Sequence, residues 1–296
     1  GTFESQEKQM AKLKTYKKVF KDVYPKLRTA KTEILTIKDK KTDAEIAVLA
    51  KQITTGQAGA DALSFEELMY SATLTPSLEE KAAIYEAATK KGTNWNAHNN
   101  LAAVYIAQAI ENPSNASSLA DKAQAQLDLA ARINANAPEV NANLASVSML
   151  KGNAYAAYNS ANKALSGGLR GDNAAGVNGV KGSAAIVIAK YSEAVSAESS
   201  AANTADNLFN KGLAQVLNKD YQNALTSFGE ATRLNSNHAH AYYGAAVASA
   251  RLGNADGVVS NLTNAVKINP DLKSAALTDL EFSKWATSEA FRNALR

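Results

Sequence analysis

Residues 205–238 read ADNLFNKGLAQVLNKDYQNALTSFGEATRLNSNH, and residues 239–272 read AHAYYGAAVASARLGNADGVVSNLTNAVKINPDL. The second stretch repeats the first at an offset of 34 residues: Leu208 aligns with Tyr242, Gly212 with Ala246, Ala214 with Ala248, Phe228 with Leu262, Ala231 with Ala265 and Leu234 with Ile268. Apolar residues at helical spacing inside a fixed period of this length predict stacked helical hairpins, because one hairpin cannot bury its apolar face without a neighbour. Small residues recur where two short helices must approach closely. Ala102, Ala145, Ala175, Gly212 and Ala246 hold that slot in the first helices, and Ala130, Ala164, Ala194, Ala231 and Ala265 hold it in the second. Asn/Asp with Gly or Lys at Gly152–Asn153, Lys219–Asp220 and Gly253–Asn254 supply the tight turns.

Working outward, the hairpin pattern is nearly continuous from residue 62. Ser64 with Glu67 forms a capping box, and Thr75–Pro76 opens the partner helix. A second unit starts near Trp95, with a long turn over 111–119, and a third near Pro138. The fourth, about 168–199, contains GGLRGDNAAGVNGVKG; each glycine inside a helix costs about 1 kcal/mol relative to alanine, so this unit is expected to be the most mobile. Residues 273–295 supply apolar residues for one or two helices that cap the last hairpin. The array therefore spans 60–296, all-α, with residues 1–59 as a separate basic segment.

That segment reads as helix, strand, helix. Leu13, Tyr16, Phe20, Val23 and Leu27 share one face of a helix over 4–27; TAKTEILTI at 29–37 alternates as a strand; Thr42 with Glu45 opens a helix through about Gln52. Residues 1–51 carry 13 Lys/Arg against 7 Asp/Glu, whereas the whole chain nets only +4. The chain lacks cysteine, so neither a disulfide framework nor a cysteine zinc site is available. No apolar run is long enough to span a bilayer as a helix. Gly1 reads as the scar of a cleaved tag, with natural sequence upstream.

The small-residue slots and the 34-residue period resemble the tetratricopeptide repeat family, strongly in 205–272 and 94–165. The resemblance implies a right-handed superhelix whose concave face grips a peptide or helix. The chain departs from the family where a large aromatic often opens each repeat: His98, Asn141 and Leu208 stand there, and Tyr242 alone is aromatic. The cationic pattern that clamps a terminal carboxylate in chaperone-binding members is absent. KVFKDVYPKLRTAKTEILT near the start and LTDLEFSKWATSEAFRNAL near the end also resemble Bacteroidetes envelope proteins that join an OmpA-like region to a tetratricopeptide tail. That likeness implies a periplasmic or outer-membrane-associated protein, with a cytoplasmic one as alternative, and an indirect membrane or peptidoglycan association. The Asp/Arg motif for peptidoglycan is not present.

Chemistry is sparsely signalled. His98, His238 and His240 are the only histidines, and no acidic residue adjoins His238-Ala-His240, so they read as turn residues. Neither a G-x-S-x-G turn nor a phosphate-loop motif occurs. The acidic pairs Glu66–Glu67 and Glu79–Glu80 complement helix N-termini. The expectation is a non-enzymatic scaffold for a protein or peptide, with no cofactor, no metal and no nucleic-acid partner. By periodicity Asn99, Ser146, Phe209, Val216, Tyr243, Val247 and Arg251 line the concave face, with asparagine amides suited to an extended backbone. The alternative is an envelope spacer whose basic segment meets an anionic surface or polymer.

Overall fold

The computed structural model describes residues 2–27 and 40–296. It divides into two compact units, Gly1–Thr42 and Asp43–Arg296.

In the first unit the helix expected over 4–27 is three short ones, α1 Phe3–Met10, α2 Tyr16–Asp22 and α3 Tyr24–Leu27. The break falls in Lys12–Leu13–Lys14–Thr15, where crowded like charges and a β-branched residue weaken the helix. The intended buried face is open: Leu13 is 60% exposed, and no residue of α1 or α2 is buried. Tyr16, Phe20 and Tyr24 instead stack in a row, with ring centroids 5.8 and 5.6 Å apart. The strand expected at 29–37 lies outside the described residues.

The second unit is the hairpin array. α4 (Asp43–Thr54), assigned by charge to the N-terminal segment, packs with the array: Ile46 and Ala50 share a core with Leu63, Leu68 and Ala72. Six hairpins follow. They are α5 (Phe65–Ser71) with α6 (Leu78–Thr89), α7 (Trp95–Glu111) with α8 (Ala116–Ile133), and α9 (Pro138–Leu150) with α10 (Ala154–Ser166). Then come α11 (Gly171–Val187) with α12 (Tyr191–Ser199), α13 (Ala205–Leu217) with α14 (Tyr221–Leu234), and α15 (Ala239–Arg251) with α16 (Ala255–Ile268). α17 (Leu272–Thr278) and α18 (Glu289–Ala294) close the end. The last two hairpins start and stop at positions 34 residues apart, as the repeat requires. No helix among the described residues is long and apolar enough to cross a membrane.

Two expectations are corrected here. The long turn at 111–119 is mostly helix: α7 runs to Glu111, a 3-10 turn begins at Pro113, and α8 starts at Ala116. The second concerns the slot residue of the fourth unit, whose glycine-rich stretch from Gly171 onward belongs to the 17-residue helix α11. Its glycines make room for neighbours. A Cβ on Gly182 would lie 2.5 Å from the Glu198 carboxyl, just as one on Gly212 would lie 2.7 Å from the Phe228 ring. Gly182, rather than Ala175, therefore holds the close-contact slot of this unit.

Phe228 is the clearest junction residue. It is fully buried, between Gly212 of its own hairpin and Gly244 of the next, whose Cβ would come within 2.5 Å of the ring. The ring takes the space both glycines vacate, and the fifth and sixth hairpins are keyed together by it. Phe228→Ala is expected to lower unfolding free energy by about 3–5 kcal/mol in urea denaturation, and Gly244→Leu to be destabilising as well because the ring has nowhere to move.

Candidate peptide groove

The first helices of hairpins two to four face a groove of about 460 Å3. α7 contributes Asn99 and Asn100, α9 contributes Asn143 and Ser146, and α11 contributes Asn173 and Val180. The carboxylates of Glu139 and Asp172, each in the first turn of its helix, stand at the same groove. Among the lining residues there is no lysine or arginine.

Helical spacing places these side chains on one face, and a short polar relay fixes them. Asn143 Nδ2 donates to Asn99 Oδ1 at 2.9 Å, crossing from α9 to α7. Asn99 Nδ2 donates in turn to Asn100 Oδ1 at 3.4 Å. Asn99 is only 6% exposed, so its carbonyl is satisfied by Asn143 rather than by solvent. Ser146 Oγ donates along its own helix to the Ala142 carbonyl at 3.4 Å. Behind the groove, His98 Nδ1 meets Gln126 Oε1 at 2.7 Å and ties α7 to α8.

The other residues expected on this face divide into two groups. Phe209 and Val216 pack against the core around Phe228, with the Phe209 ring 5.9 Å from Phe228 and 5.0 Å from His238. Tyr243, Val247 and Arg251 meet the chain's own C-terminal turn. Tyr243 Oη donates to Asp279 Oδ2 at 2.7 Å and its ring stands edge-on to Phe282 at 5.6 Å. Arg251 pairs with Glu281, and Val247 packs on the core that contains Phe282 and Phe291. Burial, reinforced by the bond to Asp279, pushes the Tyr243 hydroxyl well above the usual phenol range. Asn99 and Ser146 are thus the two expected residues that the fold brings together at an open groove. Asn100, Asn143 and Asn173 join them; the signal for the first two was the asparagine enrichment around 94–143, and Asn173 in the glycine-rich unit had none.

Two of the three histidines, His98 and His238, serve structure. His238 caps α15, its Nδ1 accepting from the Ala241 amide at 3.2 Å while Nε2 lies 3.3 Å from Asp206. Among the described residues no three His, Cys, Asp or Glu side chains cluster to hold a metal ion. A second, smaller cavity of about 290 Å3 lies between α4, α5 and α6, lined by Val48, Leu74, Pro76 and Ile84.

The same succession of hairpins recurs in solved structures. The fold is a tetratricopeptide-type α-solenoid. YrrB, a TPR protein with an unusual peptide-binding site, superposes with a TM-score of 0.52 at 20% identity, over 63% of this chain and 92% of its own. The pilF protein of Pseudomonas aeruginosa gives 0.53 at 13% identity, over 83% and 98%. PilW, a type IV pilus biogenesis factor, gives 0.51 at 16% identity, over 87% and 100%. No family model matches the sequence, and no curated protein does.

Removing the amide that satisfies Asn99 should be costly in proportion to its burial. Asn143→Ala is expected to destabilise the chain by about 1–3 kcal/mol, read from chemical denaturation. Tyr243→Phe, which deletes only the bond to Asp279, is expected to cost about 1 kcal/mol in the same assay.

Proposed function

We propose that this protein is a non-enzymatic scaffold that holds an extended peptide or protein segment in the groove across α7, α9 and α11, the concave side of its repeat array. The supporting observation is the row of asparagine amides at Asn99, Asn100, Asn143 and Asn173 beside Ser146. Amides and hydroxyls present donors and acceptors together, which is what the alternating N–H and C=O groups of an extended backbone need. The groove's size falls within the range of binding clefts. Peptide binding by YrrB, a structure with the same fold, is in keeping with this reading. Phe209 and Val216 extend the apolar side of the surface in this reading, whereas Tyr243, Val247 and Arg251 serve the C-terminal turn.

The test is selection of peptides from a random display library on the immobilised protein, followed by affinity measurement on Ser146→Arg. Selected peptides should lose at least about tenfold in affinity, while the exposed control Ser192→Arg should leave it unchanged. Equal binding by wild type and Ser146→Arg would remove the groove from consideration.

A second reading rests on the excess of lysine and arginine in residues 1–51. Here the chain is an envelope spacer whose basic segment contacts an anionic lipid surface or polymer, in a periplasmic or outer-membrane-associated setting. It calls for binding to anionic vesicles or peptidoglycan that falls steeply with salt. Binding indifferent to salt, or fractionation of the native protein with the cytoplasm, would refute it.

A further inference from the structure

Glu198 is the one buried acid in the array, and no charged side chain pairs with it. It is 5% exposed, and neither carboxylate oxygen makes a hydrogen bond of normal geometry. Its position explains why this is unusual. α12 and α14 both begin with tyrosine, and Glu198 and Phe228 are the eighth residue of each. Glu198 therefore stands where the next hairpin places its phenylalanine key and the sixth hairpin places Leu262, both fully buried.

The surroundings match that equivalence. Gly182 of α11 lies against Glu198 as Gly212 of α13 lies against Phe228. On the far side the sixth residue of α13 is Asn210, where the sixth of α15 is Gly244. Asn210 Nδ2 donates to Ser183 Oγ at 3.1 Å, so the polar wall beside Glu198 is bonded to itself. The groups facing Glu198 are thus Gly182 and Ser183 from α11 and Asn210 from α13, none of them charged. No lysine acts on its carboxyl, and two lysines of the fourth hairpin have partners of their own. Lys181 lies over the Tyr158 ring at 5.8 Å, and Lys190 lies over the same ring at 4.5 Å and pairs with Glu193 at 2.9 Å.

We propose that Glu198 is a protonation-controlled latch between the fourth and fifth hairpins, closed when its carboxyl is neutral and sprung when it is charged. A neutral carboxyl can sit in a glycine-lined socket at modest cost. A carboxylate there loses its hydration and gains no charged partner, only partial compensation from Asn210 and Ser183, and the remedy is to separate the helices and let water in. The rest of the junction offers little resistance. Its core is largely alanine, with Ala184, Ala185, Ala194 and Ala214, α12 has only 9 residues, and α11 carries interior glycines.

The direction with pH follows from the same burial. Loss of hydration pushes the Glu198 carboxyl up to about 8, with Asn210 and Ser183 offsetting part of the rise. Between the ordinary carboxylate range and that value the open form has shed a proton that the closed form retains. Opening is therefore favoured about tenfold per pH unit over that window, and levels off above it. Because α11 also carries Asn173 and Val180 of the groove, the latch acts next to that wall, but it does not depend on what the groove binds.

The experiment is amide hydrogen exchange on the full chain at pH 5.5, 6.5, 7.5 and 9, corrected for the intrinsic rate. Protection across 171–199 should fall about tenfold per pH unit up to about pH 8 in wild type and stay level in Glu198→Gln. Protection independent of pH in wild type, or the same fall in Glu198→Gln, would overturn the latch. If Glu198→Gln does not fold, the pair Glu198→Phe with Asn210→Gly, which copies the fifth hairpin's socket, should give level protection. Carboxyl-carbon NMR on wild type decides independently: a Glu198 that titrates in the ordinary carboxylate range has no latch to operate.

Discussion

What holds this array together is the close approach of neighbouring first helices around a single side chain from the second helix between them. At the fifth hairpin that side chain is Phe228, and the two glycines facing it leave no space that a Cβ could occupy. Everything else in the unit is arranged to keep that approach short. Alanines supply the other buried residues of that core, and left-handed residues at Gly152, Ala189, Lys219 and Gly253 reverse the chain in successive hairpins. Dispersion and burial at such contacts grow with the number of atoms in reach, so a small-residue interface is stable only where the backbones nearly touch.

The same constraint determines where polar chemistry can reside. Second helices are enclosed between first helices, so a polar residue at their centre is either satisfied or costly. Ser227 is satisfied by Gln215, the hydroxyl donating to Oε1 at 2.7 Å. Glu198 is not. First helices, by contrast, keep one face open, and it is there that Asn99, Asn143 and Ser146 gather. The division between a dry key and a wet groove is thus a property of helix position within the hairpin, and sequence chemistry follows it.

The repeat at 205–272 made the hairpin class, the bounds of the last two hairpin units and their turn positions legible, because period and small-residue slots are local properties of the chain. The fourth unit was harder to place. Its slot residue is Gly182 rather than Ala175: Gly182 lies 37 residues after Ala145 and 30 before Gly212, because α11 is long and α12 short, so a 34-residue count from either side misses it. Residues 4–27 misled in the opposite sense: Leu13, Phe20 and Val23 have helical spacing, but spacing alone does not supply a surface to bury them. For the candidate site, Asn99 and Ser146 could be read from periodicity, and Asn100 and Asn143 only from the asparagine enrichment. That Tyr243 and Arg251 would meet Asp279 and Glu281 could not, since those contacts join residues about 30–36 positions apart through a turn with no repeat of its own.

That C-terminal turn bears on more than the last hairpin. Phe282 and Phe291 stack at 5.9 Å over the face that a seventh hairpin would otherwise cover. Asp279 and Glu281 dress its rim with carboxylates. An array of stacked hairpins carries in an uncovered end a template for adding one more, from its own chain or from another. The closing segment gives the last hairpin the apolar surface that a neighbouring repeat gives the hairpins before it.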